Sequence, residues 1–312
     1  MMTGAPFFAD IADLPPDGRC LWLMTDDGIR LRAAHWPGSG KGTVFLLPGR
    51  TEYIEKYAPP AAEFCRCGWD VLTLDWRGQG LSDRVPKQPL IGHVRSYAEY
   101  QRDIDALIAL AAADRLPQPY HVVSHSMGGL IALRALHDGK PFRSAVFSAP
   151  MWGLRIAPMA RHLAMSLSYV ARLAGRGASL APSMGLMNYV SREPFEGNVL
   201  TSDAETYGRL KMQIETHPEL ALGGPSLDWL LATLHEMAKL TRRAPPDVPA
   251  LTALGTSEQV VDAGVIRAMM TRWPRGKLDI YEKAEHEVMM EIRRHRVRFF
   301  NAACGFLDAN QA

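Results

Sequence analysis

The chain has 312 residues, of which 47% are hydrophobic and 22% charged, a composition that excludes disordered, collagenous and coiled-coil proteins. The 35 Lys and Arg residues nearly balance 33 Asp and Glu residues, and the formal net charge of +2 gives no support to nucleic-acid binding. The chain contains no stretch of about 18 uncharged apolar residues, so no membrane-spanning helix is predicted. Residues 1–19 lack the basic and apolar regions of a secretory signal.

Short apolar and alternating segments predict the strands of a sheet. Two strands are expected around the Asp26-Asp27-Gly28 turn within residues 20–36, and the continuous apolar run at 43–48 predicts a fully buried strand. A helical segment at about 52–67 follows. The next predicted elements continue the alternation of strand and helix: a strand at 70–76, a helix at 97–114, a strand at 120–126, a helix at 127–139 and a strand at 144–150.

The alternation stops after residue 150, and residues 151–245 carry helical patterns with several Gly and Pro breaks and no convincing strand. It resumes with two further pairs of strand and helix, at 249–256, 263–272, 277–284 and 287–307. Strands that alternate with helices predict a mostly parallel sheet flanked by helices. We therefore expect an α/β core domain made of residues 1–150 and 246–312, with residues 151–245 inserted between two strands as a helical cap.

The strongest local motif lies where a predicted buried strand ends and a helix begins, at residues 124–129. A serine at such a sharp turn, here Ser126, projects its hydroxyl above the sheet edge. The backbone N–H of Met127 points into the same space at the helix N-terminus. This is the small-x-Ser-x-small pattern of a nucleophile elbow, with Ser124 in place of the usual first glycine. The extra side chain at this crowded position predicts a slightly strained elbow.

A serine nucleophile needs a base, and the base needs an orienting group. His286 follows the last predicted strand, and Glu258 follows the strand before it, with Asp262 four residues further on. Because strand ends on one side of a parallel sheet converge, these groups can meet Ser126. We predict Glu258 as the acid and keep Asp262 as the alternative. The chain order is then serine, acid, histidine.

The loop after the strand at 43–48 is the expected source of a second oxyanion donor. It reads Pro48-Gly49-Arg50-Thr51-Glu52, and the peptide N–H of Arg50 would complement that of Met127. An ordinary strand-to-helix turn is the alternative interpretation of this loop.

Five segments with these residues occur in one order along the chain: 48–57, 74–84, 123–129, 248–262 and 284–291. In them the chain resembles α/β-hydrolases of the bacterial lysophospholipase and monoacylglycerol lipase group. The resemblance implies the α/β-hydrolase fold, ester hydrolysis on single-chain acylglycerols or lysophospholipids, and a cap at the inserted segment. Two departures from the group are Pro48, where many relatives have His, and Ser124. Asp75 and Arg77 are expected to tie loops together.

The predicted function is therefore a serine hydrolase that cleaves lipid esters through an acyl-enzyme. An acyltransferase or small-ester hydrolase using the same triad, and a non-catalytic binding protein, remain alternatives. No cofactor is predicted, because residues 38–43 lack the spacing of a phosphate loop. No metal site is predicted, because His121 and His125 lie on a strand, where their spacing does not form a helical metal face.

The predicted cap is rich in arginine, and residues 151–192 contain no Asp or Glu. One interpretation packs the cap helix at 159–174 on the core with its arginines in water. The other brings the cap into contact with an anionic lipid surface. Cys20, Cys65, Cys67 and Cys304 are expected to be free thiols, which favours a cytoplasmic protein, with a peripheral position at the inner membrane surface as an option. The oligomeric state is not predicted.

Overall fold

The computed structural model describes residues 4–12, 17–84 and 87–311, so the predicted lack of a signal at residues 1–19 lies partly outside it. An eight-stranded sheet occupies its centre, with the strands in the order β1-β2-β4-β3-β5-β6-β7-β8. The strands are β1 (Arg19–Met24), β2 (Arg30–Trp36), β3 (Thr43–Leu47), β4 (Asp70–Leu74), β5 (Tyr120–His125), β6 (Ala145–Ser148), β7 (Ala250–Gly255) and β8 (Gly276–Tyr281). Only the pairs β1–β2 and β2–β4 are antiparallel among them, which confirms the mostly parallel sheet.

Helices cover both faces of the sheet. They are α1 (Ala58–Arg66), α2 (Tyr97–Ala113), α3 (Met127–His137), α4 (Pro158–Leu173), α5 (Tyr189–Arg192), α6 (Ala204–Thr216), α7 (Leu227–Arg242), α8 (Ala263–Arg272) and α9 (Arg293–Asp308), with short 3-10 turns at Ile54–Tyr57, Pro218–Leu220 and Val288–Met290. One apolar core lies between the sheet and α2, α3 and α8, and a second lies between the sheet and α1 and α9. Because both faces are covered, strands β3 to β7 are buried along their whole length, as their apolar runs predict.

The segment between β6 and β7 contains helices α4 to α7. Helix α7 joins it to the core, because Trp229, Met237 and Leu240 are part of the core that includes α2 and α3. Helices α5 and α6 form a smaller apolar cluster with Ile11 and with Tyr53, which follows β3. The inserted segment thus packs beside the carboxyl ends of the strands, where the predicted functional residues lie.

The orientation of α4 contradicts the interpretation that its apolar face packs on the core. Leu163, Val170 and Leu173 are 70%, 61% and 71% exposed. The opposite face packs inward instead, since Ser168 is buried and the Arg172 guanidinium forms an ion pair with Asp228 of α7 at 2.5 Å. The sequence of α4 does not show which of its faces packs inward. A polar face can do so when a neighbouring helix supplies a buried carboxylate, as α7 does here.

The prediction of four free thiols is wrong for Cys67 and Cys304, which form a disulfide. Cys67 caps the C-terminus of α1 and Cys304 lies in α9, on the same face of the sheet, with a Cα–Cα distance of 6.3 Å. Their separation of 237 residues has no motif that reveals the pairing. Cys20 and Cys65 are free. The expected reducing compartment was inferred from four free thiols, and the disulfide removes that support.

Asp75 and Arg77 tie loops together, as expected. The Asp75 carboxylate accepts hydrogen bonds from Arg32 Nε at 2.7 Å and from the backbone N–H groups of Ile54 at 2.9 Å and Leu81 at 2.7 Å. Gly80 is needed beside it, because a Cβ atom there would lie 2.1 Å from Asp75 Oδ2. Across the described ranges, no helix has the length and apolar character needed to cross a bilayer.

Candidate active site

Ser126 occupies a sharp turn between β5 and α3 with φ of 48° and ψ of −115°. This left-handed backbone is strained for a serine, at a cost of about 1–3 kcal/mol. The turn is held by three backbone hydrogen bonds, from Ser126 N–H to Ser148 O and from the N–H groups of Gly129 and Met151 to Ser126 O. Gly128 lets α3 approach the loop after β3, since a Cβ atom there would lie 2.4 Å from Leu47 O. The serine hydroxyl is thereby fixed above the sheet edge.

Ser124 fits into β5 without a left-handed backbone, so the strain of the elbow lies at Ser126 itself. Its side chain is fully buried, between strand neighbours Leu47 of β3 and Phe147 of β6. The Ser124 hydroxyl makes no hydrogen bond to any described residue. A buried hydroxyl without a partner costs about 1–3 kcal/mol, and this is the energetic consequence of having serine in place of glycine at position 124.

A hydrogen-bonded chain connects Ser126, His286 and Glu258. Ser126 Oγ lies 3.0 Å from His286 Nε2, and His286 Nδ1 lies 2.7 Å from Glu258 Oε2. All three side chains are buried. Burial opposes ionisation of Glu258, but His286 and the N–H groups of Val260 and Val261 outweigh it, so the pKa of Glu258 lies below its ordinary value. The carboxylate is therefore charged and held in place at neutral pH.

Asp262, the alternative acid, has a different role in the structure. Its side chain caps the N-terminus of α8 by accepting hydrogen bonds from the N–H groups of Gly264 at 2.9 Å and Val265 at 3.2 Å. The carboxylate that bonds to His286 is that of Glu258. The sequence left the choice open because both residues follow β7 within one short loop.

Of the two predicted oxyanion donors, Arg50 lines the same cavity as Ser126, and Met127 follows Ser126 directly in the chain. Met127 is the first residue of α3, so its N–H has no acceptor within the helix. Arg50 lies in the loop after β3, where the Glu52 carboxylate accepts the N–H of Gly49 and Gln79 Oε1 accepts that of Thr51 at 2.5 Å. These bonds fix the loop beside Ser126.

The cavity in front of Ser126 and His286 has a volume of about 440 Å³. Its walls are mainly apolar, and the inserted segment supplies many of them, including Met184, Met187 and Trp229. The same segment supports the histidine loop, because the N–H of Glu287 donates to Leu200 O at 2.8 Å. Ser126 and His286 thus face a mainly apolar space.

A buried cluster of charged side chains lies behind the site, and the sequence analysis did not predict it. The Lys56 ammonium bonds to Glu52 Oε1 at 2.8 Å and to Glu287 Oε1 at 2.7 Å, linking the loop after β3 to the loop of His286. Burial opposes the charge of Glu52, but Lys56 and His125 outweigh it and lower its pKa to about 2. The only indication of this cluster in the sequence was that Glu52 and Lys56 both lie in the segment 48–57.

Three side chains in this region are of types that can bind a metal ion. Ligand atoms of Glu52, His125 and Glu287 lie within 4.8 Å of one another. Both carboxylates already bind the Lys56 ammonium, whose positive charge opposes a cation there. Burial also lowers the pKa of His125 to about 3, so this ring is neutral next to the charged pair.

The chain is similar in sequence to a known protein family and to two lysophospholipases. Residues 38–293 match the family described as serine aminopeptidase, S33. The chain is 30% identical to lysophospholipase L2 of Escherichia coli K12 over 245 residues, which are 75% of this chain and 67% of the relative. It is 27% identical to a probable lysophospholipase L2 of Haemophilus influenzae over 264 residues, 83% of this chain and 82% of the relative.

Solved structures give the same fold. A monoglyceride lipase variant of Saccharomyces cerevisiae superposes with a TM-score of 0.74 and 19% identity, covering 99% of this chain and 100% of that one. A carboxyl esterase of Bacillus coagulans superposes with a TM-score of 0.76 and 17% identity, covering 95% and 99%. The predicted α/β-hydrolase fold and the resemblance to lysophospholipases and monoacylglycerol lipases are confirmed.

Proposed function

We propose that this chain, which belongs to the serine aminopeptidase S33 family of α/β-hydrolases and is a carboxylic ester hydrolase, removes the acyl group of single-chain lipids by way of an acyl-enzyme. The substrates are lysophospholipids or monoacylglycerols. The observation that carries the proposal is the hydrogen-bonded chain of Ser126, His286 and Glu258 at the end of an apolar cavity.

In the first half-reaction Ser126 Oγ attacks the ester carbonyl carbon, and His286 Nε2 takes the hydroxyl proton. Glu258 holds His286 through Nδ1 and stabilises the imidazolium that forms. When the tetrahedral intermediate collapses, His286 gives the proton to the leaving alcohol, and the acyl group stays on Ser126. In the second half-reaction water replaces the alcohol, His286 accepts its proton, and the fatty acid leaves as Ser126 recovers a proton.

The negative oxygen of both tetrahedral intermediates would be held by the backbone N–H groups of Arg50 and Met127. Both residues flank the elbow, one after β3 and one at the start of α3, and the positive end of the α3 dipole favours an anion at that position. A single oxyanion donor contributes about 2.7–4 kcal/mol of transition-state stabilisation. Because these donors are backbone groups, side-chain substitutions at 50 and 127 do not remove them.

Lipid esters fit this cavity better than small polar esters do. Burying apolar surface contributes roughly 0.8 kcal/mol per methylene, so each additional acyl carbon gains affinity on the methionine and leucine walls. Flexible methionines such as Met184 and Met187 adapt to chains of different shape. Residues 151–245 would act as a cap that shapes this acyl path.

The exposed face of α4 would bring the cap to a lipid surface. Its outward apolar side chains follow helical spacing: Met159, Leu163, Leu167, Val170 and Leu173. Exposed Arg155 and Arg161 lie at the start of the same region, and residues 151–192 carry no acidic side chain. An apolar helix face with neighbouring cations suits the surface of an anionic bilayer, from which single-chain lipids would enter the cavity.

An ester series with increasing acyl length tests the proposal. Initial rates should rise with chain length for both a lysophospholipid and a monoacylglycerol, and Ser126→Ala should abolish them. Good turnover of acetyl esters without gain for longer chains would reject the lipid substrates, and full activity of Ser126→Ala would reject the nucleophile.

A further inference from the structure

Arg50 lines the cavity, and its guanidinium has no acidic partner among the described residues. Its Nη2 donates to the carbonyl of Gly223 at 2.6 Å, while its Nε is buried and makes no hydrogen bond. The guanidinium carbon lies 5.1 Å from the ring centre of Trp229. Burial without a neighbouring carboxylate lowers the pKa of Arg50 to about 10, which still leaves it charged at neutral pH.

Other buried or half-buried arginines in the described chain have more hydrogen-bond partners than Arg50. Three of them have carboxylate or carbonyl partners on several nitrogens: Arg32 with Glu55 and Asp75, Arg77 with Asp27 and Asp103, and Arg84 with the carbonyls of Gly80, Pro89, Glu219 and Ala221. Arg50 differs from all three, because it has one carbonyl and one aromatic face.

The acidic residues on the cavity wall do not supply the missing charge. Glu52 and Glu287 both line the cavity, and both bind the Lys56 ammonium. Burying a cation without a counter-charge is unfavourable, and the penalty is relieved when an anion binds. A positive group in this position therefore indicates that the occupant of the cavity brings a negative charge.

We propose that the Arg50 guanidinium binds the phosphate of a lysophospholipid headgroup and so selects lysophospholipids over monoacylglycerols. The inference rests on the proposed ester hydrolysis and narrows its substrate class. Arginine suits this role because its planar donors match phosphate oxygens in pairs. The bond to Gly223 uses one of the five guanidinium N–H groups.

The dimensions of a lysophospholipid agree with this assignment. About six covalent bonds separate the Cα of Arg50 from its terminal nitrogens, and about six separate the ester carbonyl carbon from the phosphorus of a 1-acyl lysophospholipid. One residue can therefore hold the carbonyl oxygen with its backbone N–H and the phosphate with its side chain. A monoacylglycerol has a hydroxyl in place of the phosphate and leaves the guanidinium uncompensated, which disfavours its binding.

The test compares 1-palmitoyl lysophosphatidylglycerol with 1-palmitoylglycerol, which share the acyl ester and differ by the phosphate and its substituent. The readout is the ratio of their kcat/KM values, because any general effect on the oxyanion loop cancels in it. Arg50→Met should lower this ratio by about 10- to 100-fold, since a hydrogen-bonded charge contributes about 1.5–3 kcal/mol. Arg50→Lys, which keeps the charge but loses the planar donors, should fall between Met and wild type.

Arg84→Met is the matched control. Arg84 also ties the core to the inserted segment, through the carbonyls of Glu219 and Ala221, but it does not line the cavity. Its loss should change the ratio by less than about threefold. An unchanged ratio in Arg50→Met, or an equal shift in Arg84→Met, would overturn the inference while ester hydrolysis stands. A wild-type protein that hydrolyses neither lipid would reject the proposed function and this inference with it.

Binding provides a readout that does not depend on turnover. Calorimetry on Ser126→Ala should show tighter binding of a 1-alkyl ether glycerophosphate than of the matching 1-alkyl glycerol ether, and this preference should disappear when Arg50→Met is added. Inorganic phosphate distinguishes the two sources of the anion. If it binds in an Arg50-dependent manner while the two lipids bind equally, the site recognises free phosphate and the headgroup assignment is wrong.

Discussion

His286 Nε2 lies 3.0 Å from Ser126 Oγ although 160 residues separate the two in the sequence. The parallel sheet creates this contact, because β5 is central and its carboxyl end carries Ser126, while the loop after β8 carries His286 at the same edge. Ser126 is held by a strained turn and His286 by its hydrogen bond to Glu258. The relative positions of the Ser126 hydroxyl and the His286 imidazole are therefore set by the fold.

Substitution of the two acids after β7 separates a catalytic role from a structural one. Glu258→Gln should lower kcat by about 10⁴-fold, because the amide cannot stabilise the imidazolium and favours the wrong tautomer of His286. Asp262→Ala should retain turnover but destabilise the protein by about 1 kcal/mol, through loss of the α8 cap. Ester kinetics and urea unfolding on both variants check this. The reverse pattern would make Asp262 the acid.

Acid stability should depend on Glu52. Its pKa of about 2 in the folded protein lies below the ordinary value of 4.5, so its ionisation stabilises the fold above about pH 4.5. That contribution is lost as the pH falls from about 4.5 toward 2, when the carboxylate is protonated. Glu52→Gln should therefore be less stable than wild type at pH 6.5, and the difference in unfolding free energy should shrink at pH 3. A constant difference at both pH values would contradict the assigned pKa.

Vesicle binding tests the proposed contact of α4 with lipid. Leu163→Glu places a charge on the exposed apolar face and should reduce sedimentation with vesicles rich in phosphatidylglycerol by about tenfold. Val297→Glu on α9 is the matched control, because Val297 is an exposed apolar residue that does not belong to the inserted segment. Equal binding by wild type and Leu163→Glu would remove α4 from the lipid-binding surface.

The disulfide should contribute to stability. Cys67 and Cys304 join α1 to α9 across a loop of 237 residues, and cross-links of long loops typically stabilise by about 2–4 kcal/mol. Cys304→Ser should lower the unfolding free energy by this amount, and added reductant should have no further effect on the variant. Cys20→Ser serves as the comparison, since Cys20 is a free thiol. Equal stability of wild type and Cys304→Ser under oxidising conditions would contradict this role.

Local patterns were enough to predict the sheet and the convergence of Ser126, Glu258 and His286 at one edge of it. The buried strands β3 to β7 have mainly apolar sequences. Ser126 ends a predicted strand, and Glu258 and His286 each follow one. What the sequence did not reveal depends on partners far apart in the chain. The disulfide of Cys67 with Cys304 and the outward orientation of α4 both require the positions of elements that no local spacing encodes.

The environment of Arg50 is a further example. The sequence predicts a role only for its backbone N–H. Its guanidinium became informative only when the fold placed Trp229 and Gly223 around it, while Lys56 took up the nearby carboxylates. The absence of a counter-charge is a property of the packed cavity, and it cannot be read from residues that lie next to each other in the chain.

Trapping of the acyl-enzyme tests the central claim most directly. Wild-type protein is mixed with a single-chain lipid ester, quenched in acid within the first turnovers and analysed by intact and peptide mass spectrometry. The account predicts a mass increase of one acyl group located on Ser126, absent in Ser126→Ala. Release of fatty acid without any acylated Ser126, or an equal rate in Ser126→Ala, would contradict it.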